Sequence, residues 1–142
     1  MKLLLILMSC LISMSAFSKN KILFTTPNAD RKKPDDLNII LDYKKGSSSK
    51  KLIDTQVGGY YGSTEEFVVY LKEGGLIIVK DFDYLAKNAI ASNVVSFKID
   101  NGNLYYETMT QSGIKTLWLI TDFKNLKPIE IVQGYNTYGI DQ

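Results

Sequence analysis

The sequence predicts a mainly β or α+β domain, with an antiparallel sheet or meander of about seven to eight strands and one short helix at about residues 82–91. Three observations predict it. Strand-like apolar runs recur along the chain, hairpin-type turns join some of them, and a single segment has helical spacing. Hairpins before and after one short helix favour a helix packed on, or closing the end of, an antiparallel sheet.

The N-terminus predicts an export signal at residues 1–18. Lys2 supplies the positive charge and Leu3–Ile12 forms the apolar stretch. The small residues Ala16 and Ser18 stand at positions −3 and −1 relative to a signal-peptide cleavage site before Lys19. We therefore expect a mature chain that begins at Lys19 and is released into a bacterial periplasm, with secretion as the alternative.

Residues 19–142 are expected to form a single globular β-rich domain. A second interpretation of the leader stays open, because Leu7-Met8-Ser9-Cys10 resembles a lipobox in which Cys10 would be lipidated instead. No other apolar run is long enough to cross a bilayer, so no stable membrane insertion is expected after cleavage. Cys10 is the only cysteine and the chain has no His. This excludes an intrachain disulfide, an imidazole-based catalytic pair and a zinc site built on imidazole.

The strand-like runs justify the sheet in chain order. They are Ile22–Thr25, Leu37–Tyr43, Leu52–Val57, Phe67–Lys72, Leu76–Lys80, Val94–Ile99, Leu104–Thr110, Ile114–Thr121 and Ile129–Gln133. The sequences Glu73-Gly74-Gly75 and Asp100-Asn101-Gly102-Asn103 are typical of hairpin turns. In the sixth run, alternation predicts Val95, Phe97 and Ile99 on one face.

The helix at residues 82–91 is predicted from the spacing of its apolar residues. These fall at i, i+3, i+4, i+7 and i+8, and they are Phe82, Leu85, Ala86, Ala89 and Ile90. Asp81 is a suitable N-cap, and Asp83 with Lys87 forms an i, i+4 charge pair.

Positive charge is concentrated in the first part of the mature chain. Residues 19–51 carry nine Lys or Arg and four Asp, whereas residues 52–142 carry seven Lys and eleven Asp or Glu. A basic, Ser-rich loop ends the first of these segments, and its candidate partner-binding residues are Lys44, Lys45, Ser47, Ser48, Ser49, Lys50 and Lys51. Such a run is either a solvated hairpin loop or a loop that meets an anionic cleft or an anionic lipid.

Tyr60 and Tyr61 are a second candidate contact site. They follow Gly58-Gly59 and precede Gly62, which predicts two rings on a flexible loop rather than in the core. Tyr gives a large contact area at a low entropy cost, which suits recognition surfaces.

Acidic pairs are the remaining source of acid–base chemistry. They are Asp35/Asp36, Glu65/Glu66 and Asp81/Asp83. Adjacent residues of a strand point to opposite faces, so Glu65 and Glu66 are poorly placed to act together. No catalytic residue, metal site or cofactor is assigned, and the nearly balanced charge argues against a nucleic-acid partner.

The leader Met-Lys-Leu-Leu-Leu-Ile-Leu, the chain length and the Lys/Asn/Ile-rich mature chain resemble the periplasmic immunity proteins of bacteriocin systems. The resemblance implies a protein toxin or lysozyme-like enzyme as partner, inhibition of a peptidoglycan-cleaving muramidase in the periplasm, and no enzymatic activity. The alternatives are a structural or adhesive envelope component, or a carboxylate-dependent hydrolase.

Overall fold

The computed structural model describes residues 21–45, 50–80 and 86–141. Within these ranges it consists of eleven strands and a short 3₁₀ helix at Tyr43–Lys45. The strands are β1 (Lys21–Thr26), β2 (Asp36–Leu41), β3 (Lys50–Asp54), β4 (Tyr61–Ser63), β5 (Val68–Lys72), β6 (Gly75–Val79), β7 (Lys87–Ala91), β8 (Val94–Asp100), β9 (Asn103–Met109), β10 (Lys115–Ile120) and β11 (Ile129–Gln133). No helix in the described ranges is long and apolar enough to cross a membrane.

The strands form three antiparallel sheets, and each sheet is built from strands that are consecutive in the chain. The first has the order β1-β2-β3, the second β4-β5-β6-β7, and the third β11-β10-β9-β8. Every neighbour in a sheet is also the neighbour in sequence, so the pairing within each sheet involves no crossover. The mainly β class and the antiparallel pairing predicted from the sequence are confirmed.

The second sheet lies between the other two and is covered on both faces. Strand β5 shows this directly, because Val68 and Tyr70 pack into a cluster with Leu37 and Ile39 of the first sheet. The opposite face of the second sheet packs on the third through a second cluster, which contains Val69 of β5. The molecule therefore has two apolar interfaces, one on each face of its middle sheet.

Two tight hairpin turns have the backbone that their sequences predict. Asn101 and Gly102 have φ values of 49° and 78°, and Glu73 and Gly74 have values of 52° and 76°. Positive φ at both central residues is the requirement of a type I′ turn, which Asn and Gly meet at little cost. These turns set the β8–β9 and β5–β6 pairings.

The helix predicted at residues 82–91 is wrong for its second half, because residues 87–91 form strand β7; residues 82–85 lie outside the described ranges. Strand β7 pairs with β6 through Ile77↔Ala89 and Ile78↔Asn88. The Asn88 amide also donates to the Ile78 carbonyl, at 3.1 Å. Pairing with the edge of β6 outweighs a short helical pattern, whose few apolar positions fit either structure. The Lys87 ammonium lies 3.6 Å from the Asp54 carboxylate, and Asp83, its predicted partner, lies outside the described ranges.

The strand count and the division into sheets also differ from the prediction. The described residues form eleven strands where seven to eight were expected. Nine of them overlap the nine strand-like runs of the sequence, and β4 and β7 do not. The predicted face of Val95 is wrong as well, because a bulge between Val94 and Ser96 buries Val94 and leaves Val95 42% exposed. Phe97 and Ile99 pack against the second cluster as the alternation implies.

Candidate functional site

The outer face of the first sheet is the candidate site, and we call it the basic platform. It comprises Ile22, Phe24, Ile40, Lys50 and Leu52. In the register, Ile40 of β2 stands between Ile22 of β1 and Lys50 of β3. In the next row of the same face, Phe24 and Leu52 stand on either side of β2. Successive side chains alternate across a strand, so these residues point away from the cluster that the first sheet shares with the second.

Apolar exposure is high on the basic platform. Leu52 is 55% exposed and Ile22 is 44% exposed, and Tyr43 at the nearby end of the sheet is 42% exposed. Phe24 and Ile40 are half-buried beside them. Contiguous exposed apolar groups with a polar rim are typical of protein contact surfaces.

Positive charge borders this apolar surface. The Lys50 ammonium lies over the Phe24 ring, 5.6 Å from its centroid, and Lys44 is exposed at the same end of the sheet. Lys51 is exposed as well, but it pairs with the inward-facing Ile39 and so lies on the opposite face. The remaining predicted loop residues, Ser47, Ser48 and Ser49, lie outside the described ranges, as does the side chain of Lys45. Of the predicted basic loop, Lys44 and Lys50 therefore border the basic platform, and Lys51 does not.

One polar side chain is built into the same face. Asn38 stands between Phe24 and Leu52 in the register and is only 4% exposed. Its amide donates to the Thr26 hydroxyl at 2.8 Å and to the Asp36 carbonyl at 3.3 Å. Because its donor group is satisfied by its own sheet, Asn38 keeps the face ordered at a small desolvation cost.

The two predicted tyrosines are separated by the fold. Tyr61 begins β4 and packs against the cluster between the first two sheets. Tyr60 is 43% exposed, but its hydroxyl donates to the Phe97 carbonyl at 2.9 Å and accepts from the Phe97 amide at 3.1 Å. Its ring meets the Phe97 ring edge-on at 4.8 Å. Tyr60 thus joins β8 to the second sheet and offers only part of its ring to a partner.

A partly buried cluster around the Asp54 carboxylate, which the sequence did not predict, lies between the first two sheets. Asp54 accepts from the Tyr70 hydroxyl at 2.8 Å, the Lys72 ammonium at 2.9 Å and the Thr55 amide at 2.8 Å. Burial opposes ionisation, but these hydrogen bonds and the nearby Lys87 charge outweigh it and lower the pKa of Asp54. Burial, followed by Asp54, raises the pKa of the Tyr70 phenol. These polar contacts connect β3 of the first sheet to β5 of the second.

A second missed cluster holds the C-terminal segment on the third sheet. Glu107 is 9% exposed and accepts from the Ser96 hydroxyl at 2.5 Å and the Tyr135 hydroxyl at 2.8 Å. Lys115 lies 3.9 Å from the same carboxylate and donates to the Asn136 carbonyl at 3.2 Å. Burial and then Glu107 raise the pKa of Tyr135. The spacing of these residues gives no sequence signal, because they meet only in the folded sheet.

Of the acidic pairs, Asp35/Asp36 and Glu65/Glu66 lie within the described residues, and Glu65 and Glu66 lie in the bend between β4 and β5, not in a strand as expected. The Asp36 carboxylate accepts from the Asn28 side-chain amide at 2.6 Å and from the Gln56 backbone amide at 3.0 Å. It therefore connects the loop before β2 to the loop after β3. Glu65 and Glu66 border a cleft of about 260 Å³. Asp81 and Asp83 lie outside the described ranges. Among the residues that the structure describes, no group of three or more Cys, Asp or Glu side chains is placed to hold a metal ion.

Comparison with known proteins finds a likeness of fold. No family model matches the chain, and no curated protein matches it. Among solved structures, the crystal structure of the tricorn protease is similar, with a TM-score of 0.60 and 16% sequence identity. The similarity covers 80% of this chain but 12% of the protease chain, so this chain spans a small part of that protein's length. At this identity the comparison concerns the fold alone.

Proposed function

We propose that the chain is an exported, non-catalytic binding protein that protects the cell that makes it by inhibiting a peptidoglycan-cleaving, muramidase-type toxin in the periplasm. The observation that carries this proposal is the basic platform, in which exposed apolar side chains lie beside a lysine border. Leu52 and Ile22 provide the exposed apolar area, and Lys50 provides charge over Phe24. Such a surface suits a protein partner whose own surface is acidic.

The muramidase class is proposed from the chemistry of its cleft. Glycoside hydrolases of this kind place two carboxyl groups on either side of the scissile bond. A loop that presents ammonium groups could occupy that space and neutralise those carboxylates, which excludes the substrate. Lys44 and Lys50 lie at the end of the platform where β2 leads into β3, and both can approach such a cleft.

A protection assay tests the proposal. The full chain is expressed in susceptible cells, which are then challenged with the muramidase bacteriocin pesticin and a panel of other muramidases. A version lacking residues 1–18 serves as the control for export. We expect survival only with the exported chain, together with a one-to-one complex and inhibited peptidoglycan hydrolysis in vitro. Cell death with every toxin, although the protein is present in the periplasm, would refute the proposal.

The role of the basic platform is tested by charge reversal. Lys44→Glu with Lys50→Glu is compared with Lys124→Glu with Lys127→Glu, a matched pair of exposed lysines in the loop between β10 and β11. Charge steering predicts that the platform variant lowers the association rate about tenfold or more, with a smaller effect at high salt, while the matched pair changes it little. Equal rates for the two double variants would place the contact elsewhere.

A further inference from the structure

The free edge of the third sheet has an unusual composition. Strand β11 is the outer strand, and within the described residues it pairs only with β10. All five of its residues are exposed, and three of them are large and apolar: Ile129 at 51%, Ile131 at 49% and Val132 at 41%. An exposed outer strand of this kind is a template for pairing with another strand.

The other outer strands carry the lysines that commonly protect such edges. Lys21 is in β1, Lys50 and Lys51 are in β3, Lys87 is in β7 and Lys98 is in β8. Strand β4 has only three residues, and Gly62 at its centre lies close to the Phe97 and Ile99 side chains of β8. Among the described outer strands of five or more residues, β11 alone lacks a lysine. Lysines on an edge strand hinder sheet-to-sheet association, so their absence singles out this edge.

A bulge in β11 aligns its apolar side chains. Leu119 pairs with Ile129 and Leu117 with Val132, so Ile131 falls in the stretch where the register shifts. Leu117 and Leu119 are two residues apart in β10 and share a face, and therefore Ile129 and Val132 extend the same face. Without the register shift, the three-residue spacing of Ile129 and Val132 would place them on opposite faces.

We propose that this edge is a self-association surface, where β11 pairs antiparallel with β11 of a second copy of the chain. A two-fold axis near Glu130 and Ile131 places Ile129 beside Val132 of the partner subunit, and the same contact occurs twice. Glu130, the single charged residue of β11, then stands opposite Ile131 of the partner subunit, so like charges are not opposed. The two third sheets become one continuous sheet of eight strands.

The basic platform does not fit a second copy in the same way. A contact there between two copies would bring together two surfaces that are both bordered by lysines, and two surfaces of like charge meet unfavourably. The self-association surface and the platform therefore take different partners. The dimer is expected whether or not the platform binds a toxin.

Sedimentation velocity tests the dimer directly. The interface is small, so association is expected to be weak and is measured up to about 500 µM of the purified chain. We expect a reversible monomer–dimer equilibrium that Val132→Lys shifts at least tenfold toward monomer. Leu52→Lys, at a residue of similar exposure on the basic platform, is the control and should leave the equilibrium unchanged. Monomer throughout the range, or loss of the dimer with Leu52→Lys instead, would overturn the proposal.

Cysteine cross-linking tests the register. The native Cys10 is replaced by Ser, and Ile129→Cys is combined with Val132→Cys, since these positions face each other across the proposed axis. Air oxidation should give a disulfide-linked dimer on a non-reducing gel, because cross-strand neighbours meet the distance requirement of a disulfide. The control combines Ile22→Cys with Leu52→Cys and should stay monomeric. Equal cross-linking of both variants would contradict a specific β11 contact.

Discussion

The two ends of the three-sheet stack expose similar amounts of apolar surface but differ in charge. Leu52 on the first sheet is 55% exposed and Ile129 on the third is 51% exposed. Lysines border the first surface, whereas the strand that carries Ile129 has a single charged residue, Glu130. The difference teaches that apolar exposure alone does not identify a partner. The neighbouring charges decide whether a second copy or an acidic protein can approach.

The largest expected changes in the free energy of unfolding come from core substitutions. They test whether the first and third sheets unfold together. Leu37→Ala removes a fully buried side chain from the interface of the first two sheets, and Leu104→Ala removes one from the other interface. Each should lower the free energy of unfolding by about 2–5 kcal/mol, through lost burial and a residual cavity. Urea unfolding is followed by the fluorescence of Trp118, the only tryptophan, and by circular dichroism.

The two probes report on different parts of the molecule. Trp118 lies in the third sheet, so its fluorescence follows that sheet, whereas circular dichroism follows all three sheets. If the sheets unfold together, Leu37→Ala shifts the fluorescence and circular dichroism transitions equally. A fluorescence transition that Leu37→Ala leaves in place would show that the third sheet is stable without the first.

A pH-dependent effect is expected at the first interface. The folded pKa of Asp54 is lowered below its unfolded value of about 3.9, so its charge stabilises the fold above that value. This contribution is lost as the pH falls through the lower, folded pKa. Asp54→Asn should therefore lower the free energy of unfolding by about 1–3 kcal/mol at neutral pH, because it weakens the contacts to Tyr70 and Lys72.

Chemical unfolding between about pH 7 and pH 2 measures this prediction. The gap between the wild-type chain and Asp54→Asn should narrow as the carboxyl of the wild-type chain takes up its proton. A gap that stays constant at every pH would mean that Asp54 acts through shape and not through charge.

A smaller and local effect is expected at the third sheet. Tyr135→Phe removes the hydroxyl that donates to Glu107 at 2.8 Å, which should cost about 1 kcal/mol. The Gly134 amide, which donates to the Lys115 carbonyl at 2.8 Å, should exchange its hydrogen faster in this variant. Tyr43→Phe, at an exposed tyrosine of the 3₁₀ helix that follows β2, is the control and should leave exchange unchanged. Uniformly faster exchange over all three sheets would contradict a local role.

The smallest effects on stability are expected at the two exposed surfaces themselves. Leu52→Glu and Ile131→Glu should each change the free energy of unfolding by no more than about 0.5 kcal/mol, because neither side chain fills a core. Thermal unfolding of dilute protein measures this. A loss of several kcal/mol in either variant would show that the surface is covered within the folded chain.

Local features of this fold could be predicted from the sequence, and the arrangement of sheets could not. The turns at Gly74 and Asn101–Gly102 were predictable because their backbone needs particular residues. Strand β7 was not, because five residues with Ala and Ile fit a helix or a strand until β6 supplies a partner. Alternation also gives no information on which faces pack together.

The candidate site was predicted only where its residues form a local pattern in the sequence. The lysine run at residues 44–51 is visible as a charge pattern, and Lys44 and Lys50 lie beside exposed apolar groups. The Asp54 cluster has no such pattern, since Tyr70, Lys72 and Lys87 approach it from other strands. The role of Tyr60 depends on Phe97, which is 37 residues away in the chain.

The two-sided burial of the middle sheet has a consequence for how this sequence can vary. Residues 67–70 are four consecutive positions with at most 1% exposure, so this stretch has no position that faces water. In β11, by contrast, every residue is exposed. A library of random substitutions should therefore show four adjacent intolerant positions at 67–70, while β11 accepts most polar replacements as long as only folding is selected.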